Sequence, residues 1–362
     1  MYHIETLEMI PISLRLKKPF KTAHGTTKNR PLTLVKLMVS NSVTNEKTIG
    51  LGEIQSFSDF SYTLENQSVS REIVKTVIEP VIQTLNFATP QEFSEKLTRL
   101  TPFGSFAKAG VEMAVWDAIG KLSNRSLSQM IGGTKQSVPV GTVLDLTADI
   151  SDIKNAIDKG YQRIKIKIDA KSVDKQNLIA RLSDFPNQQF SLDANSSFNR
   201  QTAEMFRQLP ENVAFIEQPF AENDFVNHAF FQKKTTHLLS LDESINSLDD
   251  IHTMIALHAA KAVTIKQAKI GGITAAIAAI QLASHAGIKP WIGGMLSSNL
   301  GRAVDLALAS LSDITFAGDI SESSRYFEHD ITVDKFKITQ GLMAVPTKNG
   351  LGVTLDDSFD VL

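Results

Sequence analysis

Lys167, Asp193, Glu217, Asp242 and Lys266 follow one another at intervals of 24 to 26 residues. Each stands at or just past the C-terminal end of a short apolar run: IKIKI from Ile164, QFSLDAN from Gln189, VAFIEQP from Val213, HLLSLDE from His237 and AVTIKQA from Ala262. Any one of these charges alone would read as a solvated loop residue. Five at one phase place three carboxylates side by side, with a lysine on either flank. Crowded carboxylates penalise one another unless a cation neutralises them. An all-oxygen, three-carboxylate set suits a hard divalent ion, Mg²⁺ first and Mn²⁺ as the alternative. A metal on a substrate carboxylate stabilises the charge left when the proton on the adjacent carbon departs. One lysine removes that proton, and a second on the opposite face delivers a proton or stabilises charge. The expected partner is therefore a small-molecule carboxylate substrate.

The elements that must position these residues follow from periodicity. In YQRIKIKIDA, from Tyr161, charged and apolar side chains alternate with period two, which reads as a strand. Lys165 and Lys167 then face one side, the expected barrel mouth, while Ile164, Ile166 and Ile168 pack outward on helices. Adjacent cations are expected to depress the pKa of one of the lysines. Apolar runs also begin at Val138 (VPVGTV), Lys289 (KPWIGGM) and Ile314 (ITFAGD), giving eight in all. Segments of helical period lie between them, such as TAEMFRQL, LDDIHTMIALHAA and ITAAIAAIQLASHAG. Eight strand-then-helix units argue for a closed parallel α/β barrel, whose sites lie at the C-terminal ends of the strands. An open doubly wound sheet is the competitor, but no GxGxxG turn follows an early strand. N-terminal to the barrel, RPLTLVKLMV and TIGLGEI suggest a hairpin, and SREIVKTVIEPVIQTL and AKAGVEMAVWDAIGKL read as helices.

Composition narrows the class further. The 362 residues are 42% hydrophobic and 21% charged, with a formal net charge of −2, so neither nucleic acid nor an anionic membrane is an expected partner. Cysteine is absent, which removes disulfides, thiolate metal sites and a Cys nucleophile. The start, MYHIETLEMIPISLRL, lacks the basic-then-apolar pattern of a signal peptide. The most apolar stretch, from Ile273, is interrupted by Gln281, Ser284 and His285 and is too short to span a bilayer. A cytoplasmic protein is the default expectation.

Taken together, KIKI, DAN, IEQP, LDES, TIK, GGI and GGMLSSNLGRA resemble the muconate-lactonizing branch of the enolase superfamily. Within it, the chain is similar to the o-succinylbenzoate synthase/N-succinylamino acid racemase subgroup. PFKTAHGT, EMAVWDAIGKL and GDISESSRYFEHDI carry the resemblance toward both ends. It implies a modified TIM barrel, (β/α)7β, over residues 126–327, with an N-terminal α+β capping domain over residues 1–125. Residues 328–362 would return to the cap. By position, Lys167 is implied as the catalytic base, Lys266 as the lysine across the site and Lys165 as its electrostatic partner. Asp193, Glu217 and Asp242 are implied as the metal ligands, with Asn195 beside them. Asn195, Gly294, Met295, Ser297 and His24 are the expected substrate contacts, and loops at residues 20–27 and 56–62 are expected to cap the mouth. The implied reaction is a Mg²⁺-dependent dehydration giving o-succinylbenzoate in menaquinone biosynthesis. Racemisation of N-succinylamino acids by the same lysine pair is the alternative, and a catalytically silent binding barrel is a third reading. The resemblance also suggests a homo-oligomer.

The chain departs from the subgroup in three places. Lys266-Gln267-Ala268-Lys269 stands where KPGR is usual, and a lysine cannot reproduce the planar fork of arginine. Ser297 and Ser298 follow GGML, and Asn299 replaces a usual glycine. These changes weigh against racemisation, which depends on fine positioning near the second lysine. Gly271-Gly272 reads either as an anion-binding helix start or as close packing. Asp319 reads either as a rim residue or as a helix cap.

Overall fold

The first twenty-two residues alternate in polarity, and Ile10, Ile12, Leu14 and Leu16 are all buried. In the computed structural model, which describes residues 1–22 and 25–357, this segment is a long strand, β1 (Tyr2–Thr22). It pairs antiparallel with β2 (Gly25–Asn41), and β2 pairs with β3 (Lys47–Ile54). A short β4 (Asn86–Phe87) lies on the other edge of β1, at Tyr2 and His3. Residues 20–27, expected as a loop, are largely paired backbone: Phe20, Lys21 and Thr22 stand opposite Thr27, Thr26 and Gly25.

One face of this sheet carries Ile4, Val35, Leu37, Val39 and Ile54 onto the helix Ser105–Leu122. Gly50 and Gly52 lie directly on Ala114 and Gly110 of that helix, where a Cβ has no room. The expected helix from Ser70 to Leu85 is interrupted. It runs as Gln67–Ile73, widens to a π turn over Val74–Ile78, and resumes as Glu79–Ile82. Pro80, which has no N–H to give back to the preceding turn, accounts for the break.

The run at Val138 splits at Pro139. Its first part is β5 (Ser137–Pro139) and its second is β6 (Gly141–Leu144). Then follow β7 (Arg163–Lys167), β8 (Gln189–Asp193), β9 (Val213–Glu217), β10 (Leu238–Leu241), β11 (Ala262–Ile265) and β12 (Lys289–Ile292). From β6 to β12 they form one parallel sheet in chain order. The eighth run, from Ile314, is not a strand. It bridges the sheet's two edges instead: Gly141 N donates to Gly318 O at 2.8 Å and Asp319 N to Ile292 O at 3.0 Å. The carbonyl of Ala317 is turned to Arg163, which donates to it from Nε at 3.0 Å and Nη2 at 2.8 Å, so it is lost to a regular ladder. A seven-stranded parallel sheet closed by an irregular eighth segment is the result. Among the described residues, no helix is long and apolar enough to cross a membrane.

The chain's last part runs back to the N-terminal sheet. Phe327 bridges to Leu16, and Glu328 N donates to Arg15 O at 3.0 Å. β13 (Ile338–Thr339) and β14 (Leu342–Ala344) form a hairpin that pairs with β5. Asp117, buried in the Ser105–Leu122 helix, accepts from Leu51 N and Leu351 N, both at 2.8 Å, and so joins β3 to this segment.

The same helix resolves the Gly271-Gly272 alternatives. Glu112 accepts from Ile273 N at 2.6 Å, Thr274 N at 3.1 Å and Trp116 Nε1 at 3.2 Å. The helix Ile273–His285 therefore begins on an anion supplied by the chain itself. Glu112→Ala strands these donors in a dry interface and opens a cavity. A loss of stability on the order of 3 kcal/mol is expected, read by urea unfolding followed at Trp116.

Candidate active site

Parallel pairing in register carries the charged ends of the strands to one level. Lys167 stands opposite Asp193, Asp193 opposite Glu217, and Glu217 opposite Ser240, two residues before Asp242. Lys266 immediately follows β11. All five predicted lysines and carboxylates of the repeat thus lie on consecutive strands at one end of the sheet. The backbone just past β8 and β9 is left-handed at Asn195 (φ 38°), Ser196 (φ 62°) and Gln218 (φ 40°), conformations that non-glycine residues keep only where surroundings impose them.

Ion pairs link the set. Lys165 Nζ lies 3.3 Å from Asp193 Oδ2, 3.0 Å from Glu217 Oε2 and 2.6 Å from Asp319 Oδ2. Lys167 Nζ lies 3.2 Å from Asp193 Oδ2 and donates to Asn195 Oδ1 at 2.9 Å. Asn195 in turn donates from Nδ2 to Glu243 Oε1 at 2.9 Å. Across the carboxylate row, Lys266 Nζ donates to Asp242 Oδ2 at 2.6 Å and to the Tyr62 hydroxyl at 2.7 Å. Lys269 Nζ donates to the Asp242 carbonyl at 2.6 Å. Gly294, Met295 and Ser297 line the same cavity, which encloses about 190 Å³, room for a small organic acid. His24 lies outside the described residues.

Burial alone would lower the Lys165 ammonium, but Asp193, Asp319 and Glu217 hold it well above the ordinary lysine value. Lys266 is buried too, and Asp242 leads the groups that hold it high. At these two lysines the carboxylates outweigh both burial and the neighbouring cations. Lys269 is the lowered one, chiefly by burial. Burial, together with the carboxylates of Asp193, Asp242 and Asp319, pushes the Glu217 carboxyl up to about 8. Buried Asp242 Oδ1 and Glu243 Oε2 have no hydrogen-bond partner among the described residues, although Lys269 Nζ lies 3.8 Å from the former.

As the side chains stand, no group of three His, Cys, Asp or Glu among the described residues is gathered tightly enough to grip an ion. The donor set nevertheless fits a hard divalent cation: it is all oxygen, it crowds carboxylates until one is forced toward protonation, and it leaves Asp242 Oδ1 without a hydrogen-bond donor among the described residues.

The sequence profile described as "Enolase C-terminal domain-like" matches residues 149–359. That of the "Mandelate racemase / muconate lactonizing enzyme, N-terminal domain" matches residues 5–132. The chain belongs to the enolase superfamily. Among enolase-superfamily relatives, it is similar to a protein of Listeria innocua named o-succinylbenzoate synthase, 36% identical over 98% of this chain and 94% of that one. A Thermus thermophilus protein named N-succinylamino acid racemase is 33% identical over 98% and 96%. A crystal structure of an enolase-superfamily member from Listeria innocua superposes with a TM-score of 0.92, at 34% identity, covering 98% of this chain and 95% of that one.

Two groups in this enolase-superfamily site were not assigned from sequence. Tyr62 enters from residues 56–62 of the cap, where Phe57 and Ser58 also line the cavity. Asp319 belongs to the site rather than to a helix start, holding Lys165 and, through Oδ1, Arg163 at 2.7 Å. Asn299 faces away, donating to Thr332 Oγ1 at 3.0 Å and to the Asp334 carbonyl at 2.9 Å.

Proposed function

We propose that this chain is an o-succinylbenzoate synthase, a carbon–oxygen lyase of menaquinone biosynthesis. Its substrate would be a succinyl-hydroxycyclohexadiene carboxylate. One observation carries the reading: Lys167 and Lys266 flank a row of three buried carboxylates and open on one small cavity. Relatives bearing the synthase name at 32–36% identity support it.

A divalent cation, Mg²⁺ or Mn²⁺, held by Asp193, Glu217 and Asp242 would supply the Lewis acidity that draws charge from the substrate carboxylate. Lys167, as the free amine, takes the proton from the carbon bearing that carboxylate, and Asn195 fixes its Nζ through the 2.9 Å bond. The electron pair left behind forms the ring double bond as the C–O bond breaks. The departing hydroxide takes the proton back from Lys167 and leaves as water, so the lysine returns to its starting state and the ring becomes aromatic. Lys266, held as an ammonium by Asp242 and Tyr62, faces the developing negative charge. Lys165, pinned by three carboxylates, stays a fixed cation and balances the row.

N-succinylamino acid racemisation is the second reading, favoured by the placement of one lysine on each side of the row. It asks Lys266 to give and take protons, which its two strong partners oppose.

The test mixes the hydroxycyclohexadiene precursor with protein and Mg²⁺ and follows the diene's ultraviolet absorbance. Rapid decay, abolished by EDTA and restored by added Mg²⁺, is expected. A steady absorbance overturns the synthase assignment, and deuterium exchange into N-succinyl amino acids then tests the racemase.

A further inference from the structure

Arg30, on β2, is fully buried, and its donors go to backbone carbonyls of three segments rather than to a carboxylate. Nη1 donates to Ser56 O at 2.9 Å and Pro31 O at 3.2 Å, and Nη2 donates to Gln55 O. The other edge reaches the loop after β12, with Nε to Leu296 O at 3.1 Å and Nη2 to Met295 O at 3.3 Å. Its guanidinium carbon stacks 4.0 Å from the centre of the Phe57 ring.

A buried cation hydrogen-bonded to carbonyls alone is costly to keep, even with the Glu53 carboxylate near enough to favour its charge. What it gains here is a crosslink. Phe57, Met295 and Leu296, on the segments it ties, all line the substrate cavity. Phe57 meets Tyr62 edge-on at 5.5 Å between ring centres, and the Tyr62 hydroxyl accepts from Lys266. Leu296 sits at φ 54°, a left-handed backbone that a leucine keeps only under constraint, and its carbonyl is one of those Arg30 holds. Lys165 and Lys167 stand on β7, which Arg30 does not touch.

We infer that Arg30 is a positioning residue that sets the width of the substrate cavity by pinning the cap segment 55–57 to the barrel loop at Met295 and Leu296. The inference rests on the synthase reading for the identity of the substrate.

Arg30→Lys keeps the charge but replaces a five-donor fork with a point donor that cannot serve both segments. Substrate binding suffers while the base on β7 is spared. The Michaelis constant for the precursor is expected to rise about tenfold or more, with kcat within about threefold of wild type. Hydrogen exchange should show residues 55–62 and 294–297 losing protection together, and β7 unchanged. An unchanged Michaelis constant, or protection lost at one segment only, overturns the inference. So does a fall in kcat alone, which would mean Arg30 serves only stability. Phe57→Leu is the milder companion: it leaves every carbonyl bond and removes the stacked ring, and its Michaelis constant should rise in the same direction. If Arg30→Lys does not fold, an unchanged Phe57→Leu overturns the inference instead. A silent wild-type enzyme overturns the synthase reading alone, and hydrogen exchange then decides the role of Arg30.

Discussion

Lys167→Ala is expected to lose about 10³- to 10⁴-fold in kcat for the precursor while melting within a degree or two of wild type. The loss follows from the double duty proposed for this amine, which takes the α-proton and returns it to the leaving hydroxide; a positioned general base alone contributes about 10²- to 10⁴-fold. The intact fold follows from the surroundings. Lys167 is a quarter exposed at the cavity wall and, among the described residues, bonds only Asp193 and Asn195. After truncation Asp193 still faces Lys165 at 3.3 Å, so no buried charge is left alone. Circular dichroism checks the fold and the ultraviolet assay the rate. A folded variant within tenfold of wild type would remove Lys167 from the base role.

The charged residues of the repeat were legible because a parallel barrel converts a sequence interval into a spatial level. Once IKIKI and its successors pair in register, Lys167, Asp193 and Glu217 must lie side by side. Legibility fails where the contact crosses domains or leaves the ladder. Tyr62 meets Lys266 across 204 positions of chain, and no local pattern in a loop announces such a partner. Asp319 stayed ambiguous because its segment looked like an eighth strand, which would have given it a rim position of the ordinary kind. The segment bends instead around the bond from Arg163 to Ala317 O, and that bend aims Asp319 at Lys165. Arg163 itself read as one more alternating charge, although it is buried beneath Trp291. The long β1 carries Pro11, a residue that argues against a central strand. Around Pro11, among the described residues, that strand is paired with β2 alone, so the missing N–H is tolerated.

Glu217→Gln should separate the cost of the carboxylate row from its use. In wild-type protein Glu217 is almost fully buried, bonded by Lys165 at 3.0 Å and Thr264 at 3.2 Å, and its neighbours Asp193, Asp242 and Asp319 all repel its charge. The amide keeps the shape and the bond from Thr264 while removing one negative charge from the crowd. Without a divalent cation the variant should therefore be at least as stable as wild type, by about 1 kcal/mol in its favour. Added Mg²⁺ reverses the order. A ligand at a hundredfold its Kd stabilises the folded state by about 2.7 kcal/mol, and wild type should show that rise in its melting temperature. The variant, with two carboxylates left in the row, should show little of it and should lose about 10²-fold or more in kcat. Thermal melts with EDTA and with increasing Mg²⁺ read the effect without any substrate. Equal shifts in the two proteins would exclude Glu217 from the ligand set. A variant destabilised in EDTA would mean that the row is held together by Lys165 more strongly than its carboxylates push it apart.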